Sequence, residues 1–197
     1  MPTITYYKPL VSFIIPWYKS ILIAVPSLLA QTYENIECIV VHDGEPPEKY
    51  IKMIESFDDN RVKLIHTAIR SNNGGHTPRD FGIDYVSSES KYIVFTGADN
   101  YYYPSFTKEM IGGFLNEEIT SVFCNCTHNY LNWNVLNVAL RWGDIDCGCF
   151  MTKTEIAKKI RWKGTHHSAD WDFIEEIMKT YGTDKMVKLD RHLFVHN

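Results

Sequence analysis

The chain has 197 residues, 45% of them hydrophobic and 22% charged, with a net charge of −4. That length fits one domain able to bury a core without disulfide or metal staples. No basic field marks nucleic acid as a partner, and no apolar run approaches the roughly 20 residues of a membrane span. The N-terminus lacks a charged-then-apolar leader pattern, so the expected setting is soluble and cytoplasmic.

In chain order, the apolar run 11–16 reads as a buried strand ending at Pro16, and 21–31 as a helix with Pro26 near its first turn. Residues 36–44 read as a second strand ending in His42-Asp43-Gly44. Residues 47–57 place apolar side chains at 50, 51, 54 and 57, the spacing of a helix face. A third strand spans 62–67, a loop of Asn and Gly covers 71–78, and a helix 79–87 leads to a fourth strand, 92–96. Residues 105–115 read as helical. Further on, 121–133 and 147–152 read as strands, 168–182 as a helix and 186–197 as extended.

Strands alternating with helices predict a mostly parallel, Rossmann-like α/β sheet with helices on both faces. Residues 101–197 would add a smaller mixed region to a nucleotide-binding half over 1–100, the whole forming one domain. Ligands of such sheets bind at the carboxyl ends of the strands. That rule gathers Pro16-Trp17-Tyr18, Asp43 and Gly97-Ala98-Asp99-Asn100 on one rim. An aromatic ring, two acids and the arginine at 79 suit a nucleoside diphosphate: the ring stacks on a base, one acid accepts from a base N–H, the arginine meets phosphate, and the other acid holds a metal.

Cys124/Cys126 and Cys147/Cys149 sit in strand-like segments, where alternate residues share a face, so buried thiols explain them better than a zinc site.

The blocks "VSFIIPWYK", "SLLAQTYENIECIVVHDG", "RDFG", "YIVFTGADNYYYP" and "ADWDF" resemble, in order, those of glycosyltransferase family 2 with its GT-A fold. The chain is also similar to compact members encoded by large DNA viruses. The resemblance implies a metal-dependent, inverting transfer of a sugar from a nucleoside-diphosphate sugar, UDP favoured and GDP allowed, to an acceptor hydroxyl on a glycan or other molecule. It assigns the nucleobase to Tyr18 and Asp43, flanked by Pro16, Trp17 and Ala98. Arg79 takes the place of the family's basic residue, Asp99 that of its metal-binding acid, and Asp170 that of its catalytic base. His192 and His196 are candidates for an added histidine ligand, and Trp142, Asp144 and Asp146 for acceptor or sugar contacts.

Two positions depart from the family: Gly97 stands where the first acid of its D-x-D motif would be, and Ala169 precedes Asp170 in place of glutamate. A single carboxylate suffices for Mg²⁺ or Mn²⁺ when a diphosphate supplies further oxygens. A non-catalytic nucleotide-sugar or glycan-binding module is the first alternative. A sugar nucleotidyltransferase is the second, although "PWYKS" replaces the glycine-rich basic signature expected after its first strand.

Overall fold

The computed structural model describes residues 8–19 and 21–197. The first half follows the expected alternation: β1 (Leu10–Trp17), α1 (Ala24–Leu29), β2 (Ile36–His42), α2 (Glu48–Glu55), β3 (Val62–His66), α3 (His76–Ile83) and β4 (Ser90–Phe95). The second half runs β5 (Tyr101–Tyr102), α4 (Phe106–Gly112), β6 (Ser121–His128), β7 (Asn134–Leu136), β8 (Phe150–Lys153), α5 (Thr154–Ile160), α6 (Ala169–Tyr181) and β9 (Met186–His196).

Among the described residues these strands form one sheet in the order β3-β2-β1-β4-β8-β6-β9-β5, with β7 paired to β6. The block β3-β2-β1-β4 is parallel throughout. The rest is mixed, since only β6–β9 is parallel and β4–β8, β6–β8, β6–β7 and β5–β9 are antiparallel. The expected mostly parallel sheet is thus corrected: the mixed part is a full continuation of the sheet and not a small appendage.

Successive strand residues point to opposite faces, and β1 shows both faces covered. Phe13 packs against Phe106 of α4 with ring centroids 6.2 Å apart. Its neighbour Ile14 faces α3, where a Cβ on Gly82 would come within 2.7 Å of the Ile14 side chain. Only glycine lets this helix lie so close to the sheet.

Several boundaries differ from the sequence reading for physical reasons. Helix α3 begins at His76, before Pro78, because a proline in the first helical turn gives up no hydrogen bond. Strand β1 continues through Pro16 to Trp17. Residues Cys147–Cys149 form a 3-10 turn, not a strand, with the Asp146 carboxylate accepting from Gly148 N at 2.6 Å. All five cysteines are free and buried. No helix of the described residues is long and apolar enough to cross a membrane.

Candidate active site

The sheet itself opens the site. From β1 the chain winds outward to β2 and β3, then crosses back to β4 on the other side of β1. A crevice is expected where the winding reverses. Pairing of β4 to β1 ends at Ile14↔Phe95, and Thr96 N donates to Ile14 O at 3.1 Å, while β1 runs on against β2 to Trp17↔His42. Trp17 O accepts from Asp43 N, so the backbone of residue 17 faces β2 and that of residue 16 faces the gap beyond β4. Proline at 16 therefore removes no ladder hydrogen bond. Gly75, with φ +85°, seats the start of α3 on this proline; a Cβ there would meet Pro16 Cβ at 2.7 Å.

The crevice is a pocket of about 280 Å³ whose lining includes Pro16, Tyr18, Arg79, Ala98 and Asp99. Tyr18 presents its ring at 41% exposure, with the Arg70 guanidinium 5.8 Å from the ring centre. Trp17, expected among the nucleotide contacts, lies in the pocket lining with its side chain almost wholly buried against Tyr50 and His42. Ala98 O accepts from Ala24 N at 3.0 Å and so ties the pocket floor to the start of α1.

Asp43 ends β2 at the same edge but is buried behind the loop after β3. Its carboxylate accepts from Ser71 N, Ser71 Oγ and Asn72 N, each at 2.8 Å. Burial pushes its pKa up, but these hydrogen bonds and the nearby Arg70 outweigh that and hold it below the usual carboxylate value. Asp99 is exposed on the turn after β4. A Cβ on Gly97 would lie 2.8 Å from Asp99 Oδ1, so the position that lacks the family's first acid is filled by the fold-back of the second. Asn100 is buried, donating to Thr96 Oγ1 at 3.2 Å and accepting from Asn197 N at 3.2 Å.

A larger cavity of about 680 Å³ adjoins this pocket, and Arg79, Tyr130, Asp146 and His196 line both. Arg79 reaches in from α3, donating to Gly74 O at 3.1 Å and Thr96 O at 3.3 Å, with its guanidinium over the Trp162 ring. No carboxylate among the described residues forms an ion pair with it. Asp170 lines the larger cavity from the first turn of α6. A helix start favours the ionised carboxylate, yet burial, and next the charge of Asp146, push Asp170 up to about 6, against the Trp171 N–H and Arg79. Ala169 is buried beneath it, and a Cβ on Gly164 would lie 2.5 Å from the Ala169 Cβ, leaving no room for a longer side chain.

His128, Asp146 and His196 bring ligand atoms within 4.8 Å of one another. The two imidazoles stack with centroids 4.1 Å apart and an interplanar angle of 4°. Asn129 Oδ1 lies 3.1 Å from His196 Nδ1; with the proton on that nitrogen, Nε2 keeps its lone pair, 3.6 Å from Asp146 Oδ2. His128 Nδ1 accepts from Tyr130 N at 3.3 Å. Burial, and then the neighbouring His196, lower the pKa of His128. The parallel register β6–β9, which sets His128 beside His196, joins residues 68 positions apart, so nothing in the local sequence around His128 signals this role. His192 lies outside the cluster, exposed farther back on β9.

His76 is a second residue the sequence did not single out. Its Nδ1 accepts from Trp162 Nε1 at 3.1 Å, and burial, then Arg79, push it down to about 4. It stays neutral, with the Nε2 proton available in the cavity. Trp142 and Asp144 also line the cavity, Asp144 paired with Arg141. Asp172 turns away to His166, 2.6 Å from its Nε2.

Comparison with known proteins places this geometry. Residues 12–176 match the family model described as Glycosyl transferase family 2. An uncharacterized glycosyltransferase of Rickettsia felis is 34% identical over 102 residues, 50% of this chain and 16% of that protein. One from Rickettsia typhi is 34% identical over 123 residues, 60% of this chain and 36% of that protein. The matches thus span well under half of these relatives. Among solved structures, S. aureus TarS 1-349 in complex with UDP superposes with TM-score 0.75 at 18% identity, over 94% of this chain and 59% of that one. The mannosyltransferase PcManGT from Pyrobaculum calidifontis, in complex with GDP-Man and Mn²⁺, gives 0.74 at 17%, over 96% and 57%. Glucosyl-3-phosphoglycerate synthase from Mycobacterium tuberculosis, in complex with Mn²⁺, UDP and glucosyl-3-phosphoglycerate, gives 0.70 at 14%, over 96% and 72%. These structures share the fold, and the chain belongs to glycosyltransferase family 2.

Proposed function

We propose that the chain transfers a sugar from a nucleoside-diphosphate sugar to an acceptor hydroxyl with inversion at the anomeric carbon, and that Asp170 is the base. The observation that carries this reading is the placement of Asp170. It is a partly buried carboxylate, raised to about 6, in a cavity joined through Arg79 and Asp146 to the crevice of Tyr18 and Asp99. At neutral pH it is mostly ionised yet basic enough to take a hydroxyl proton as the oxygen attacks.

The nucleotide occupies the smaller pocket, its base against the exposed part of the Tyr18 ring, beside Lys19 and Arg70. Asp43 acts there chiefly by holding the loop at Ser71 and Asn72; Oδ2, which accepts from Asn72 N, retains capacity for a base N–H. Arg79, with no carboxylate partner, turns its charge to the diphosphate. UDP is favoured over GDP, consistent with UDP in the TarS and synthase complexes; the GDP-Man complex of PcManGT keeps GDP as the alternative.

The residues present fit a divalent cation. Asp99 and His196 line the same pocket, Asp99 without a hydrogen-bond or ion-pair partner among the described residues and His196 with Nε2 turned to Asp146, while His128 stands next to them. Mn²⁺ suits this mixed oxygen and nitrogen set better than Mg²⁺. Such an ion, when bound, neutralises the departing diphosphate. The test is release of free nucleoside diphosphate from a panel of UDP- and GDP-sugars with Mn²⁺, Mg²⁺ or EDTA. Release with UDP-sugar and Mn²⁺ and its loss in EDTA are expected. Tight nucleotide-sugar binding with no release under any condition would instead make the chain a binding module.

A further inference from the structure

Next to the cation group stands a buried side chain to which none of the donor, base or ligand roles falls. Asn100 follows Asp99 directly and is 3% exposed. Its two partners fix the orientation of its amide. The Asn197 N–H can only donate, so Oδ1 accepts from it at 3.2 Å, and Nδ2 donates to Thr96 Oγ1 at 3.2 Å. One side chain thus ties the turn that carries Asp99 to the strand end that carries His196, across 97 positions of sequence.

That tie falls where the backbone ladder gives out. On one side of β9 the pairing with β6 runs to His128↔His196. On the other side the pairing with β5 ends at Tyr101↔Val195, short of His196. The Asn100 side chain supplies the bond that follows. From Thr96 the connection continues to a third member of the cation group. The Thr96 hydroxyl is hydrogen-bonded to that of Tyr102, Tyr102 OH donates to Gly148 O at 3.2 Å, and Gly148 N donates to Asp146 Oδ1 at 2.6 Å. Thr96 and Tyr102 are fully buried, so water does not compete for these bonds.

We propose that Asn100 is a positioning residue of the cation group, holding Asp99 and His196 in register with Asp146 so that carboxylate and imidazole meet one ion together. The proposal rests on the cation reading above and adds to it a residue that acts through its neighbours. Groups that hydrogen-bond around metal ligands commonly set their orientation in this way.

The test is Mn²⁺ binding at saturating UDP. It is read by calorimetry and by the nitrogen coupling that a coordinated imidazole adds to the electron-spin-echo spectrum of Mn²⁺. The wild-type chain should bind with that coupling present. Asn100→Ala and Asn100→Leu should each weaken Mn²⁺ binding by about 10–100-fold, the usual loss when a group orienting a metal ligand is removed, and should lose the coupling. Leucine keeps most of the volume, so a packing role alone would leave Asn100→Leu close to wild type. Asn100→Asp keeps an acceptor for Asn197 N, and the Thr96 hydroxyl can donate to it. It should bind Mn²⁺ nearly as wild type does, while its buried charge lowers the melting temperature in EDTA and Mn²⁺ with UDP restores it. Thr96→Val removes the hydroxyl, keeps the shape and should weaken binding in the same direction; it carries the test if Asn100→Ala does not fold. Combined with Asn100→Ala it should cost less than the sum of the two, since both cut one connection. Unchanged Mn²⁺ affinity in Asn100→Ala and Asn100→Leu overturns the proposal. So does weakened binding with the nitrogen coupling untouched and Asn100→Asp no better than Asn100→Leu, which would mark a general loosening of the pocket. If the wild-type chain binds no Mn²⁺ with UDP or with GDP, the cation reading fails and takes the proposal with it; firm wild-type binding with insensitive variants sinks the proposal alone.

Discussion

The carboxyl of Asp170 is raised from 3.8 to about 6, first by burial and then by the charge of Asp146. The sign of the consequence for stability is definite. A carboxyl whose folded-state pKa exceeds its unfolded value loses stability as pH climbs from 3.8 to about 6, and the full penalty persists above that. Asparagine carries no such penalty. Asp170→Asn should therefore raise stability at pH 7.5 by about 1–3 kcal/mol and have no such benefit below pH ~4, measured by denaturant melts in EDTA. The same substitution should lower transfer roughly 10²–10⁴-fold while leaving donor binding nearly intact. Asp172→Asn, which breaks only the contact with His166, should do neither. If Asp172→Asn stops transfer and Asp170→Asn does not, the base is misassigned. The proposed cation ligands make a parallel case: Asp99→Asn and His196→Gln should each weaken Mn²⁺ binding in the presence of UDP, read by calorimetry, and the pair should nearly abolish it. The places of Asp43 and Asp99 after strands, of Arg79 in a helix and of Asp170 at a helix start were legible in the sequence because each sits within a recognisable block. His128 was not, because its position beside His196 exists only once two distant strands pair in parallel.

Helix α3 joins the core to the site, since it supplies His76 and Arg79 at one end and packs Gly82 on β1 and β2 at the other. Its side toward α5 is clamped: Arg161, itself at φ 62°, donates to Asp80 Oδ1 at 2.9 Å, and Trp162 N donates to the same oxygen at 3.0 Å. Trp162 in turn stacks on His76 and lies under Arg79, so the clamp orders both site residues. Close packing of this helix and open space at the end of another give opposite expectations for one chemical change. Gly82→Ala places a Cβ 2.7 Å from Ile14 Cγ2 and 3.1 Å from Val41 Cγ2, and should destabilise by about 1–3 kcal/mol. Gly112→Ala, at the end of α4 with nothing within 4 Å of the new atom, should stabilise by roughly 0.4–1 kcal/mol. Equal denaturation midpoints for the two variants would contradict the described fit of α3. The parallel strands were readable because each is a short apolar run bounded by turn residues. The start of α3 was not, since asparagine, glycine and proline in a row read as loop even where proline sits in a first helical turn. Strand β5, only two residues long, and β7 carry no periodicity to read and exist by pairing with β9 and β6.

At the scale of the molecule, the parallel block and the mixed block meet at one antiparallel pair, β4–β8, over Tyr92↔Lys153, Ile93↔Thr152 and Val94↔Met151. Aromatic packing ties them further: Phe13 of β1 meets Tyr102 of β5, and Tyr102 meets Phe194 of β9, with ring centroids 5.6 Å and 5.1 Å apart. The far edge of the Phe194 ring also abuts Gly148, where a Cβ would fall 2.3 Å from Cζ. The residue is fully buried, and two positions later in the same strand stands His196. Stability of the mixed block and assembly of the cation group thus depend on one strand. Phe194→Ala should cost about 3–5 kcal/mol, the usual loss for a large buried aromatic. Because the two blocks share a sheet and a core, the loss should appear as an earlier single transition, with far-ultraviolet and tryptophan signals still coincident. Mn²⁺ affinity with UDP should fall in the same variant, although Phe194 touches no proposed ligand directly. Phe194→Leu, which keeps most of the volume, should recover much of both losses together. Two separated transitions in the wild-type chain, with Phe194→Ala shifting only one of them, would show that the halves unfold as independent units and that the sheet does not couple them.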